Sequence, residues 1–249
     1  MIAPMDKRVC LLTGASGRLG TAFCQRFADR YHIVAVYHQR PPQVPSQLQW
    51  HVDPLNPADD LDRPPPQQHL VYAVQADLRQ AEELERVVEV TLARYEQVDV
   101  LVHAAVHSIW GNLLSDERVA ASVEEQLLMN VTQPLRLSLL LARRFWRDRA
   151  AENLRRNRNI VHVSSTAGLQ IYPEQGQSIY SASKAALNYL TIHMAHEFKT
   201  IGLRVNATAP NSFPNIISTE TAAEGVVRLD EGLMTGKILV QDRDGERLI

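Results

Sequence analysis

Tyr180 and Lys184 stand four residues apart in Tyr180-Ser181-Ala182-Ser183-Lys184. On a helix that spacing puts both side chains on one face, one turn apart. A phenol with a pKa of about 10 is a poor acid–base group at neutral pH. A nearby ammonium favours the phenolate and draws that pKa toward the range where proton transfer is effective. The pair gains weight from its company. Gly14, Gly17 and Gly20 make a glycine-rich turn near the start of the chain, Asn130 lies in mid-chain, and Ser164-Ser165 precedes the tyrosine.

These groups need a scaffold, and the chain alternates short apolar runs with longer amphipathic ones. Val9 to Thr13, Ile33 to Tyr37, Leu70 to Val74, Val98 to Ala105, Ile160 to Val163, Leu203 to Ala207 and Lys237 to Val240 read as strands. Residues 19–30, 80–96, 118–148 and 178–199 read as helices, the first from Leu19, Phe23 and Phe27 at four-residue spacing. Short, β-branched, non-alternating strands separated by helices imply a parallel sheet covered on both faces. The expectation is a single α/β domain over residues 1–249: a Rossmann-type, doubly wound fold whose seven-stranded parallel sheet has helices on both faces. Its ligand crevice lies at the carboxyl ends of the strands. Residues 41–66 hold 8 of the 13 prolines. Proline cannot donate backbone hydrogen bonds, so this segment reads as an extended surface loop replacing the crossover helix after the second strand.

Composition narrows the function classes. The chain has 249 residues, 45% of them hydrophobic, and a net charge of −2, which points to neither a nucleic acid nor a membrane surface as partner. Cys10 and Cys24 give no disulfide framework and no metal spacing, and no metal site is expected. No run has the length of a membrane span and the first residues carry no leader pattern, so a cytoplasmic protein is expected. The arginines from Arg143-Arg144 to Arg155-Arg156-Asn157-Arg158 read as the solvated end of a helix and the loop after it.

Glycines between a strand and a helix let the backbone turn tightly and approach a pyrophosphate, which then rests on the helix N-terminus. Gly14, Ser16, Gly17, Arg18, Leu19 and Gly20 are therefore candidate dinucleotide contacts. A carboxylate at the end of the second strand would bind a ribose 2′-hydroxyl and repel a 2′-phosphate. Here the chain runs Tyr37-His38-Gln39-Arg40, with no acid before Asp53. Arg40, with His38 and Arg18, thus favours NADP(H). Asp77, followed by Leu78, suits either an adenine contact or a helix cap.

Taken together, Thr13-Gly14-Ala15-Ser16-Gly17-Arg18-Leu19-Gly20, Asp77, Asn130, Ser165, Tyr180, Lys184 and Arg204-Val205-Asn206-Ala207-Thr208-Ala209-Pro210 resemble the short-chain dehydrogenase/reductase family over nearly the whole length. The resemblance implies Tyr180 as general acid in carbonyl reduction and Ser165 as hydrogen-bond partner of the substrate oxygen. Lys184 would hold the nicotinamide ribose and lower the Tyr180 pKa, and Asn130 would anchor a water linked to Lys184. It places Ala104, Ala105 and Pro210 against the cofactor and implies a homodimer or homotetramer. Arg18, where the family has its second glycine, resembles the turn of the pteridine reductases. Those enzymes usually carry an aspartate where Ser165 stands, so pterin specificity is not implied.

Other departures are His103-Ala104-Ala105-Val106 after the fourth strand, Asn211 after Pro210, and a shortened C-terminal lid after residue 210. Loop residues Ile109, Trp110, Leu169, Tyr172 and Phe213 are candidate substrate contacts. The leading reading is an NADP(H)-dependent oxidoreductase acting on a small carbonyl or alcohol. The alternatives are a catalytically idle NADP-binding sensor or scaffold, and a pteridine-reductase-like enzyme.

Overall fold

The computed structural model describes residues 7–47 and 71–249. Eight strands form one sheet in the order β3-β2-β1-β4-β5-β6-β7-β8. They are β1 (Arg8–Thr13), β2 (Tyr31–Tyr37), β3 (Tyr72–Gln75), β4 (Val100–His103), β5 (Asn159–Val163), β6 (Arg204–Pro210), β7 (Ile238–Asp242) and β8 (Gly245–Leu248). The first seven are parallel, with Cys10 opposite Ile33 on one side and Val100 on the other. β8 is an addition to the expected seven and pairs antiparallel with β7. Its signal was Asp244-Gly245, a dipeptide suited to a tight hairpin, and Gly245 takes φ +109° there.

The chain enters the sheet at β1 and builds outward to β3, then returns to β4 beside β1. That reversal opens a crevice above the carboxyl ends of β1 and β4. On one face pack α1 (Arg18–Phe27) and a late helix, Thr219–Glu231. Phe23 and Phe27 of α1 and Val226 and Leu229 of the late helix share a core there with Leu12 and Val102. The opposite face carries α2 (Ala81–Tyr95), a long segment from Val123 to Trp146, and Ser178–Phe198. Leu84, Val88, Leu137, Leu141, Trp146 and Phe198 fill that side.

In chain order the remaining helices are α3 (Glu117–Ala121), α4 (Val123–Leu127), α5 (Gln133–Leu141), α6 (Ala150–Arg155), α7 (Ser178–Phe198) and α8 (Thr219–Glu231). The expected helix over 118–148 is thus segmented, with wide π-type turns at Leu128–Thr132 and Ala142–Trp146.

Cys10 and Cys24 are buried free thiols, and burial pushes Cys24 up to about 12. Leu187 and Met194, candidates for an outer apolar face, are buried within the protomer. The exposed apolar side chains of α7 are instead Tyr189 and Ile192. Of the proline segment, Val44 is buried and Ser46 bridges to Val71. The expected loss of a crossover helix concerns residues that lie largely outside the described ones.

The arginine run is only partly a solvated helix end: Arg143, Arg144 and Arg155 are exposed, but its last members turn inward. Arg158 is fully buried and pairs with Asp99 and Glu152, while Arg156 also reaches Asp99. The reason is tertiary. Asp99, just before β4, is buried and forms the acidic centre that these cations neutralise.

Candidate active site

Every element of the site starts at the carboxyl end of a strand. After β1 the chain turns through Gly14, at φ +70°. A Cβ on Gly14 would sit 2.6 Å from the Ala105 nitrogen, and one on Gly20 2.4 Å from the Gly14 oxygen. Both positions need glycine so that the turn can press against β4 and α1 against the turn. Thr13 Oγ1 completes the junction by accepting from the Ala104 and Ala105 N–H groups at 3.2 and 3.3 Å. Gly17 precedes α1 and no side chain caps that helix. Its first N–H groups are therefore free to receive an anion.

A cavity of about 500 Å³ opens over this turn, lined by Gly14, Ser16, Gly17, His38, Asp77, Leu78, Ala104 and Ala105, all expected from the sequence. Arg79, His107, Glu125 and Met129 also line it. They were not anticipated, because only the fold brings the start of α2 and the end of α4 to this edge. Arg79 forks onto both Asp77 oxygens at 2.8 Å and reaches Glu125 at 3.0 Å. Hydrogen bonding to Arg79 holds the Asp77 carboxyl below the ordinary range. His38 lies 3.8 Å from Asp77. Arg40 does not line the cavity. β2 ends at Tyr37, and Arg40 stands next to the lining residues His38 and Gln39, exposed and without an ion-pair partner among the described residues.

The second cavity, about 650 Å³, joins the first at Ala104 and Val106. It gathers Leu19, Trp110, Ser165, Tyr172, Tyr180, Lys184, Pro210 and Phe213. Arg18 lies here and not beside His38, with its guanidinium donating to the Phe213 carbonyl at 3.4 Å. As the first residue of α1, it points across the turn toward the end of β6. Ile109 and Leu169 line neither cavity. Leu169 leaves the site because the turn Thr166–Gly168 redirects the chain outward.

Tyr180 and Lys184 project from the first turns of α7 as their spacing requires. Lys184 is buried, its Nζ 5.7 Å from the Tyr180 ring centroid. It donates to the Val163 carbonyl at 2.8 Å. Burial lowers its pKa to about 8. Burial also pushes the Tyr180 phenol above its ordinary value, and a hydrogen bond with Ser165 opposes the rise. Desolvation is thus the larger influence on the phenol and the Ser165 hydrogen bond the opposing one. Ser165 is fixed in turn by the Ala167 N–H, which donates to its Oγ at 3.2 Å. The Trp110 ring covers Tyr180 at 5.8 Å between centroids.

Asn130 sits in the first π-type turn, a distortion often found at functional sites. Its Oδ1 accepts from the His107 N–H, and its Nδ2 donates to the His107 carbonyl and to Ser183 Oγ, all at 2.9 Å. It therefore ties the loop after β4 to the helix that carries the Tyr–Lys pair.

Beneath Lys184 lies a pair that pattern reading missed. His103 and His162 are buried side by side in β4 and β5, with ring centroids 5.2 Å apart. His162 Nδ1 meets Thr191 Oγ1 at 2.8 Å, and that hydroxyl already donates to Leu187 O. Nδ1 must therefore carry the hydrogen, leaving Nε2 without a partner. Burial, with Lys184 adding to it, lowers His162 to about 3, and burial lowers His103 as well. The unfolded chain takes up these protons below about pH 6.5 while the native protein refuses them, so stability falls as the pH drops from 6.5 toward 3. The expected slope is about 1.4 kcal/mol per pH unit per histidine. Denaturant unfolding at pH 6.5 and 5 checks this: His103→Gln/His162→Gln should flatten the dependence, and an unchanged slope would contradict it.

A model of the short chain dehydrogenase family matches residues 8–224, and the chain belongs to that family. It is an oxidoreductase of a family that uses nicotinamide cofactors. Dehydrogenase/reductase SDR family member 4 of Rattus norvegicus is 28% identical over 235 residues, covering 90% of this chain and 74% of that protein. Among solved structures, a short chain dehydrogenase from Mycobacterium smegmatis superposes with a TM-score of 0.72 at 24% identity, covering 95% of this chain and 92% of that one. The RhlG/NADP active-site complex of Pseudomonas aeruginosa gives 0.74 at 22% identity, covering 96% of each. Among the described residues no helix is long and apolar enough to cross a membrane.

Proposed function

We propose that this chain is an NADP(H)-dependent reductase of small-molecule carbonyls, or the corresponding alcohol dehydrogenase, with Tyr180 as the proton-transfer group. One observation carries the reading: Ser165, Tyr180 and Lys184 converge on a single cavity that opens directly onto the glycine turn. The turn fits a dinucleotide. Gly14, Ser16 and Gly17 line the cavity with little side chain in the way, and the α1 N-terminus is uncapped.

When bound, the nicotinamide supplies the hydride. The protein's own part is electrostatic and geometric. Ser165 and Tyr180 form a donor pair for an oxygen that becomes negative during reduction. Tyr180 releases its proton to that oxygen. Lys184, charged below about pH 8, holds positive charge next to the phenol and stabilises the phenolate that remains. Asn130 keeps α7 and the loop after β4 in register and stands where the family's relay asparagine stands. Purified protein incubated with NADPH and a panel of aldehydes and ketones tests the reading, with loss of NADPH absorbance as the positive result. NADPH binding without turnover of any carbonyl would favour the idle sensor.

NADPH is preferred over NADH in this reading. The end of β2 presents His38, Gln39 and Arg40, with no carboxylate to repel a 2′-phosphate. Arg40 has no competing partner among the described residues, and the similar RhlG structure is an NADP complex. A charge-assisted guanidinium–phosphate bond contributes about 1.5–3 kcal/mol, roughly ten- to a hundredfold in affinity. Arg40→Ala should weaken NADPH by about that factor and leave NADH unchanged. Fluorescence titration of both cofactors decides it, and tighter or equal NADH binding to the wild type would overturn the preference.

The exposed Tyr189 and Ile192 on α7 also favour a homo-oligomer built on that helix. Light scattering at micromolar protein should give a multiple of the protomer mass, and a monomeric mass would remove this reading.

A further inference from the structure

We infer that the substrate is an elongated, apolar carbonyl compound whose tail lies in a groove between the loops after β4 and β5. The inference rests on the carbonyl-reductase reading above and adds the substrate class. The cavity holding Ser165 and Tyr180 continues into a second space of about 830 Å³, and the two share Trp110, Tyr172, Gln175 and Gln177. Each space is within the range of roughly 300–1,000 Å³ typical of small-molecule sites. A compact carbonyl compound would fill the first and leave the second empty.

The second space carries an apolar strip beside the polar Asn112, Gln175, Gln177, Ser178 and Ser181. Leu113 and Leu114 come from one wall and Ile171 from the other, with Trp110 at the junction. Leu114 is 98% and Ile171 89% exposed. Large aliphatic side chains held this far into solvent on both sides of one groove are costly unless an apolar ligand covers them. Glu174 is the one charged side chain among the groove residues, so no cation there would pair with an anionic tail.

The groove is built, not a by-product of loose loops. The Gly111 N–H donates to the Gly176 carbonyl at 2.7 Å and locks the walls together. Gly176, at φ +62°, lies so close that a Cβ would fall 2.9 Å from the Gly111 backbone. Asn112 Oδ1 accepts from the Leu114 N–H at 2.8 Å and holds that side chain at the groove's edge. The Tyr172 hydroxyl donates to Thr166 Oγ1 at 2.8 Å and anchors the other wall beside Ser165. The carbonyl end of a ligand would then meet Ser165 and Tyr180, with Trp110 over the bend.

Straight-chain methyl ketones, lengthened from acetone one methylene at a time, test this with NADPH. The wild type should gain about two- to fourfold in kcat/KM per methylene, the worth of partial to full burial, until the groove is filled. Leu114→Asn/Ile171→Asn touches neither catalytic nor cofactor residues. It should leave the shortest ketones unchanged and flatten the dependence on length. A flat series in the wild type would overturn the inference while leaving the carbonyl-reductase reading intact.

Calorimetric titration of a long-chain methyl ketone in the presence of NADP⁺ gives a readout independent of turnover. Binding that the double variant loses supports the groove even if no ketone is reduced, in which case the reductase reading alone fails. No binding overturns the groove. If the variant instead changes the mass by light scattering, or abolishes cosedimentation with phosphatidylcholine vesicles, without altering the length dependence, the patch is a macromolecular contact and the inference falls.

Discussion

Tyr180→Phe should lower turnover by about a hundredfold or more while leaving NADPH affinity nearly unchanged. The substitution removes one oxygen from a ring that keeps its contact with Trp110 at 5.8 Å, so the cavity wall survives. It removes the phenol proposed to share a substrate oxygen with Ser165, and a positioned general acid is worth roughly 10²–10⁴-fold. Steady-state kinetics on the carbonyl found by the panel, beside a cofactor titration, separates the two effects. Wild-type turnover by the phenylalanine variant would mean that the proton comes from elsewhere. Lys184→Ala is expected to harm both properties, because its ammonium is buried against the Val163 carbonyl at the junction of substrate and cofactor space.

Asp99→Ala should cost about 3–5 kcal/mol of stability, the usual effect of stranding a buried charge. Asp99 and Arg158 both have fully buried side chains and meet at 3.2 Å, and Arg156 reaches the same carboxylate at 2.9 Å. The other Asp99 oxygen accepts from the Val9 N–H at 3.1 Å. Removing the carboxylate leaves Arg158 inside the protein with Asn153 and the partly exposed Glu152 carboxylate as its remaining side-chain partners among the described residues. Urea unfolding of the variant measures the loss. A paired change to Asp99→Leu/Arg158→Met should recover much of it, since neither charge then remains buried. A single variant as stable as the wild type would show that water reaches this network.

The amino-acid sequence by itself determined the architecture and marked out Ser165, Tyr180 and Lys184, which the fold gathers in one cavity. Strand and helix are local matters of periodicity: apolar runs of a few residues, helices spaced by Leu19, Phe23 and Phe27, and glycines where the backbone must turn. The same locality made the Tyr180–Lys184 pair legible, because four residues on a helix fix their relation without any other part of the chain.

Relations across the sheet were decided only by the tertiary structure. Arg158 looked solvated beside its arginine neighbours and is buried, because Asp99, 59 positions away in sequence, waits for it before β4. Arg18 looked like a partner of the 2′-phosphate and faces Phe213, because a helix start sets its direction. His103 and His162 are unremarkable in their own strands and become a buried neutral pair only when β4 and β5 lie side by side. The apolar groove belongs to the same class: its two walls come from loops some 60 residues apart, joined by one backbone hydrogen bond between Gly111 and Gly176. Local pattern reads what a segment does to itself; burial, pairing and cavity shape depend on which segments the fold sets against each other.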